Sequence, residues 1–198
     1  ARLFTEPFVR WLLFNINRFM YDMLARGEQE KRCVVVGIYG PSSAGKSTLT
    51  NFILEELAKG YRDYEEAEDG TLVFKGEKVN YLSTDSYLLP GEGLRYERKR
   101  DNSRFTVIKG QSIYDLWALQ KDLEDLRKGK IIFTPYDSHA PGESSGGIRK
   151  IDGSTVEVLV VDFTCLGLDH GILEKVDIMI PVVFDSDLIR ILRRLDRD

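Results

Sequence analysis

The 198-residue chain is 42% hydrophobic and 30% charged, enough to bury one substantial core and to exclude disorder as a global description. Its 28 Lys and Arg against 32 Asp and Glu leave a formal charge of −4, which argues against a bulk polyanion binder and makes any basic site a local one. Cys33 and Cys165 lack metal-ligand spacing and read as reduced core thiols, which fits a cytoplasmic setting. No run of about 18 apolar residues occurs, and Arg10, Asn15, Asn17 and Arg18 interrupt the apolar N-terminal segment, so neither a spanning helix nor a secretory leader is expected.

Residues 1–31 place Phe8, Trp11, Leu12, Ile16, Phe19, Met20 and Met23 at helical spacing, which predicts one amphipathic helix ending near Gly27. Its apolar face could cover the edge of a sheet, form a homo-oligomer contact or lie on a membrane surface, and the Arg-poor polar face argues against the last. Residues 33–39 (CVVVGIY) are a continuous β-branched run, the pattern of a strand buried on both faces of a parallel sheet. A glycine-rich turn follows, then a helix from Ser47 to Lys59 closed by Gly60. Asp69-Gly70 reads as a turn in a peripheral excursion over 61–78, and Val79–Ser83 as a second core strand.

Residues 89–111 are rich in Gly, Pro and charge and read as a loop, with Ser112 the expected cap of a helix running through Leu126. A short strand at Ile131–Phe133, a flexible turn at Ala140–Gly147, a third core strand at Thr155–Val161 and a fourth at Val176–Val183 complete the sheet. His170 reads as structural, near a helix start, and Asp185–Asp198 as a helix bearing Arg190, Arg193, Arg194 and Arg197 on one face. Strands alternating with helices imply an α/β fold with a mostly parallel sheet and ligands at the strands' carboxyl ends.

The chemistry starts at Gly40-Pro41-Ser42-Ser43-Ala44-Gly45-Lys46-Ser47, which matches G-x-x-x-x-G-K-[ST] between a buried strand and an amphipathic helix. In this context small residues let backbone N–H groups cradle phosphate oxygens at a helix start, with Thr48 in its first turn. Lys46 is then expected at the β- and γ-phosphates of ATP, and Ser47 at Mg²⁺. No N/T-K-x-D tetrad for guanine occurs, which leaves a small-molecule kinase ahead of a GTPase. Asp85, just past the second core strand, is placed to accept the proton of an acceptor hydroxyl and to touch the metal shell, although an Asp can equally cap a turn. Asp162, after an apolar strand, reads as a Mg²⁺ shell ligand or a solvated strand end. The terminal arginines could neutralise the migrating phosphoryl group or form surface pairs with Asp187, Asp196 and Asp198. Arg95, Arg98, Lys99, Arg100 and Arg104 form a charge run, solvated or closing over an anionic acceptor, too short to argue for nucleic acid in an acidic chain. Tyr136, Asp137 and His139 follow a short strand as a candidate acceptor loop.

Together these segments resemble the uridine kinase and phosphoribulokinase branch of P-loop kinases, which includes bacterial-type pantothenate kinase, over residues 33–198. Leu82-Ser-Thr-Asp85-Ser-Tyr87 resembles the uridine kinase L-S-Q-D-S-F segment, which implies a catalytic-base role for Asp85 and an acceptor contact at Tyr87. Tyr136-Asp137 resembles the Y-D of the P-x-Y-D-F-x-x-H-x-R acceptor loop, and residues 190–198 the R-L-x-R-R-x-x-R-D run that opens the family's lid. The resemblance implies the three-layer P-loop NTPase fold, with a kinase domain over 32–198 and a lid helix beginning near 185; the helix over 1–31 is an N-terminal extension with no counterpart in simple uridine kinases.

Several positions depart from the family's pattern. His139 follows Asp137 by two residues where the family has four, and Asp162-Phe163 replaces E-G after the third core strand. The family's D-H-P-D-A-F-D segment aligns with Lys109–Asp115, which puts Lys109 where an acid holds ribose and favours an anionic acceptor. The expected function is an ATP- and Mg²⁺-dependent kinase acting on a hydroxyl of a small metabolite, a nucleoside or an anionic sugar or pantothenate-like compound. Two other readings stay open: a nucleotide-binding regulator with a degenerate acceptor site, and a polynucleotide 5′-kinase-like enzyme using the Arg95–Arg104 cluster.

Overall fold

A computed structural model describes residues 2–27, 33–41, 45–66, 68, 72–87, 114–136, 147–163 and 170–182. Four strands, β1 (Val34–Tyr39), β4 (Val79–Ser83), β7 (Val158–Phe163) and β8 (Ile178–Pro181), form a wholly parallel sheet in the order β4-β7-β1-β8. Two antiparallel ribbons flank it: β2 (Tyr64–Glu66) with β3 (Leu72–Phe74), and β5 (Ile131–Tyr136) with β6 (Gly147–Asp152).

Side-chain alternation along the strands sorts the core into two layers. Val34, Val36 and Ile38 of β1 join Val158 and Val160 of β7 against α1 (Arg2–Ala25) and α2 (Lys46–Tyr61). Cys33 and Val35, with Leu159, Val161 and Phe163, face the other way, against α3 (Leu116–Arg127) and the short α4 (His170–Leu173). The result is the expected three-layer α/β arrangement. In α1 the residues Leu12, Ile16 and Met23 are buried against the sheet, while Trp11, Phe14 and Tyr21 stand in solvent. The N-terminal helix therefore covers a face of the sheet, over its central strands, rather than an edge.

Several local expectations shift. Gly60 does not close α2: the helix runs on to Tyr61 and is capped by Arg62 in the left-handed region. Gly60 instead lies where α1 approaches, since a Cβ there would meet Leu13 Cδ2 at 3.5 Å. Helix α3 starts at Leu116, because Asp115 is its cap and accepts from the Ala118 N–H at 3.0 Å; Ser112 lies outside the described residues. The third core strand begins at Val158 rather than Thr155, and Gly147 opens a strand absent from the sequence reading. The Asp69-Gly70 turn, Cys165 and the helix expected over 185–198 lie outside the described residues.

The edge strand β4 has its main chain covered by side chains. The Tyr81 N–H donates to Asn80 Oδ1 at 2.8 Å, and Arg149 of β6 donates to the Tyr81 carbonyl at 2.9 Å and to Asn80 Oδ1.

Candidate phosphate-binding and phosphoryl-transfer site

Strand register brings the candidate acids and the phosphate loop to one edge. Asp162 is paired in register with Ser83 of β4 on one side and Ile38 of β1 on the other. Asp85 lies two residues beyond Ser83, and Gly40 two beyond Ile38. Asp162 is inside β7 rather than at its end, and it is buried. Alternation turns it to the α2 face of the sheet, the face that also receives the buried Lys46.

The loop's glycines have distinct reasons. Gly40 is wedged between neighbouring strand ends: its N–H donates to the Phe163 carbonyl at 3.3 Å, and a Cβ there would lie 2.5 Å from the Val182 carbonyl oxygen. Gly45 is in the left-handed region at φ 86°, where a side chain would be strained although nothing stands within 4 Å of its Cβ position. From there α2 begins, with Leu49 N–H on the Gly45 carbonyl at 3.0 Å. Gly45 supplies no side-chain cap, so the first N–H groups of α2 suit an anion. Lys46 folds back so that Nζ donates to the Pro41 carbonyl at 3.0 Å, which sets its ammonium over the loop. Ser47 and Thr48 are exposed at the same helix start.

Asp85 lies in a single 3₁₀ turn, Thr84–Tyr87, with its N–H on Ser83 Oγ at 3.2 Å. Two tyrosines not singled out by sequence join the acids. Tyr114 Oη donates to Asp85 Oδ1 at 3.4 Å, and Tyr81 Oη to Asp162 Oδ2 at 3.5 Å. Burial first, then the Asp162 carboxylate, pushes the Tyr81 phenol up to about 12. Period-two spacing from Ser83 was a signal for Tyr81; for Tyr114 the only signal was its place in the 109–115 segment.

Tyr87 is placed differently from the acceptor contact expected of it. Its ring is buried in the core and its hydroxyl donates to Asp122 Oδ2 at 2.8 Å, so it fastens the Asp85 turn to α3 from below. Tyr136 ends β5, in register with Gly147. Ser42, Ser43, Ala44, Lys109, Asp137, His139, Arg190, Arg193, Arg194 and Arg197 lie outside the described residues.

The donors gathered here are hydroxyl and carboxylate oxygens, the hard ligands that suit Mg²⁺. Among the described residues no group of three or more His, Cys, Asp or Glu is placed to hold a metal ion. A Mg²⁺ held by Ser47, one or two carboxylates and the nucleotide's own phosphates fits that sparse set. Among the described residues no helix is long and apolar enough to cross a membrane.

Comparison with known proteins gives matches at the level of sequence family and of fold. The profile of the phosphoribulokinase / uridine kinase family matches residues 35–198. A uridine kinase of Staphylococcus aureus (strain JH9) is 29% identical over 172 residues, covering 85% of this chain and 70% of that protein. Two solved structures share the fold. One, from Silicibacter sp. TM1040 and described as a fructose transport system kinase, has a TM-score of 0.59 at 18% identity, covering 85% of this chain and 75% of the other. The other, a D-glycerate 3-kinase from Cryptococcus neoformans, has a TM-score of 0.53 at 17% identity, covering 84% and 56%.

Proposed function

Because the chain belongs to the phosphoribulokinase / uridine kinase family, and so to the phosphotransferases that act on small-molecule hydroxyls, we propose that it transfers the γ-phosphoryl group of ATP to an anionic acceptor, a hydroxy acid or sugar phosphate rather than a nucleoside. The observation that carries the transfer chemistry is the convergence of Lys46, Asp162 and Asp85 at one sheet edge. The anionic acceptor is supported by sequence: Lys109 stands where the family segment has a ribose-binding acid, and the 137–143 loop lacks the family's histidine spacing.

In this reading the loop amides, the start of α2 and Lys46 bind the triphosphate. Ser47 and Asp162 hold Mg²⁺, which when bound offsets phosphate charge. Asp85 orients the acceptor hydroxyl and takes its proton as the new P–O bond forms and the bond to the ADP oxygen breaks. Arg190, Arg193, Arg194 and Arg197 close over the transferring group, and Tyr136, Asp137 and His139 line the acceptor's side.

An ATP-consumption screen over uridine, cytidine, fructose, pantothenate, D-glycerate and ribulose 5-phosphate tests this. Turnover is expected with an anionic acceptor, and Lys46→Ala should reduce it by roughly 10²- to 10³-fold or more. Asp85→Asn should leave ATP affinity intact while lowering transfer roughly 10²- to 10⁴-fold. Turnover confined to uridine and cytidine would overturn the acceptor class. ATP binding without product from any acceptor would favour a regulatory nucleotide binder.

A further inference from the structure

A carboxylate's terminal torsion is broad and roughly two-fold, so the direction in which an Asp presents its oxygens is set by its partners more than by its own rotamer. In this site one partner of the Asp85 carboxylate comes from 29 residues along the chain. Tyr114 Oη donates to Asp85 Oδ1 at 3.4 Å, and its ring is buried beside the turn.

The phenol is held by its surroundings. The next residue, Asp115, donates its N–H to the Tyr87 carbonyl at 2.7 Å and caps α3 through the Ala118 N–H. Tyr87, two residues past Asp85, reaches Asp122 one helical stretch further on. These bonds tie the Asp85 turn to the start of α3, and the Tyr114 hydroxyl ends on the carboxylate itself.

We propose that Tyr114 is a positioning residue for phosphoryl transfer: its hydroxyl fixes one oxygen of Asp85 and so sets how the carboxylate meets the acceptor. This rests on the role given to Asp85 above. A phenol is suited to it, since it is a rigid donor with two torsions and adds no charge to a site that must receive phosphate. Transfer chemistry gains from such placement because small misorientations of a reacting group carry large rate penalties.

The test uses protein labelled with ¹³C at the aspartate carboxyl, the Asp85 resonance being assigned by its loss in Asp85→Asn. In Tyr114→Phe that resonance is expected to move, with Tm within about 2 °C of the parent because the ring is kept. Mg-ATP hydrolysis, with water in the acceptor's place, should show kcat lowered about tenfold and an unchanged KM for ATP. An unmoved Asp85 resonance overturns the proposal, as does a loss carried in KM. Full transfer in Asp85→Asn would bring down the role of Asp85 together with that of Tyr114, an outcome distinct from failure at Tyr114 alone.

Discussion

The two ends of the parallel sheet use charge in opposite ways. At the amino end Arg127 and Asp177 form a buried ion pair at 2.6 Å, Asp177 Oδ2 also accepts from the Val35 N–H at 2.9 Å, and Arg127 donates to the Lys175 carbonyl at 2.8 Å. Nearby, the buried Asp63 accepts the N–H groups of Glu77, Lys78 and Val79 at the entry to β4. These charges are spent on the chain's own backbone. At the carboxyl end Lys46 donates to a carbonyl at 3.0 Å, and Asp85 and Asp162 accept from phenols at 3.4 and 3.5 Å. Charge at the first end fixes strand entry, and at the second, in the function proposed above, it receives an anion and a metal.

The largest effect expected from breaking this contrast is at the amino end. Asp177→Ala takes the carboxylate from the buried Arg127 guanidinium, whose Nε has no hydrogen-bond partner among the described residues, and removes the acceptor of Val35. It should cost ~3–5 kcal/mol in urea unfolding while the folded fraction binds Mg-ATP as before. A loss below about 1 kcal/mol would mean the pair contributes no more than a surface one.

At the carboxyl end the two loop glycines separate steric from torsional need. Gly40→Ala forces a methyl against the Val182 carbonyl and should destabilise by ~1–3 kcal/mol. Gly45→Ala meets open space and bears only the left-handed strain, ~1–2 kcal/mol. Both should weaken Mg-ATP binding in calorimetry; equal unfolding costs with no change in affinity would contradict the assignment of this loop.

A smaller effect is expected in alkali. Burial pushes the Cys33 thiol up from its ordinary 9.0 to about 12, with Arg127 opposing and Asp177 adding to the rise. The unfolded thiol releases its proton first, so stability present below pH 9 is lost as pH climbs towards 12. Tyr61 and Tyr81, raised from 10.0 to about 12, extend the loss above pH 10. Tm measured from pH 8 to 11 should fall, and Cys33→Ala should flatten the portion between pH 9 and 10.

Legibility in the sequence followed how local each determinant is. The buried run 33–39 and the loop after it announce β1 and α2, because continuous β-branched residues and a G-x-x-x-x-G-K-S spacing constrain the chain over a few residues. Strand β6 was hidden: Gly-Ile-Arg-Lys-Ile-Asp carries charges on a ribbon whose outer residues, Phe133 and Ile148, are exposed, so its partner rather than its composition defines it. Ser112 and Asp115 are both good caps, and the bond from Asp115 to Tyr87 decides between them. Arg127 with Asp177, 50 residues apart, left no pattern to read, and the phenols on the two acids depend equally on tertiary placement.

Arg149 and Asn80, by occupying the outward-facing amide and carbonyl of Tyr81, deny the rim of the sheet to foreign strands. That protection falls on the very strand that leads to Asp85. Since Arg149 reaches across from the ribbon of residues 131–136 and 147–152, the same guanidinium also ties that ribbon to the strand that leads to Asp85.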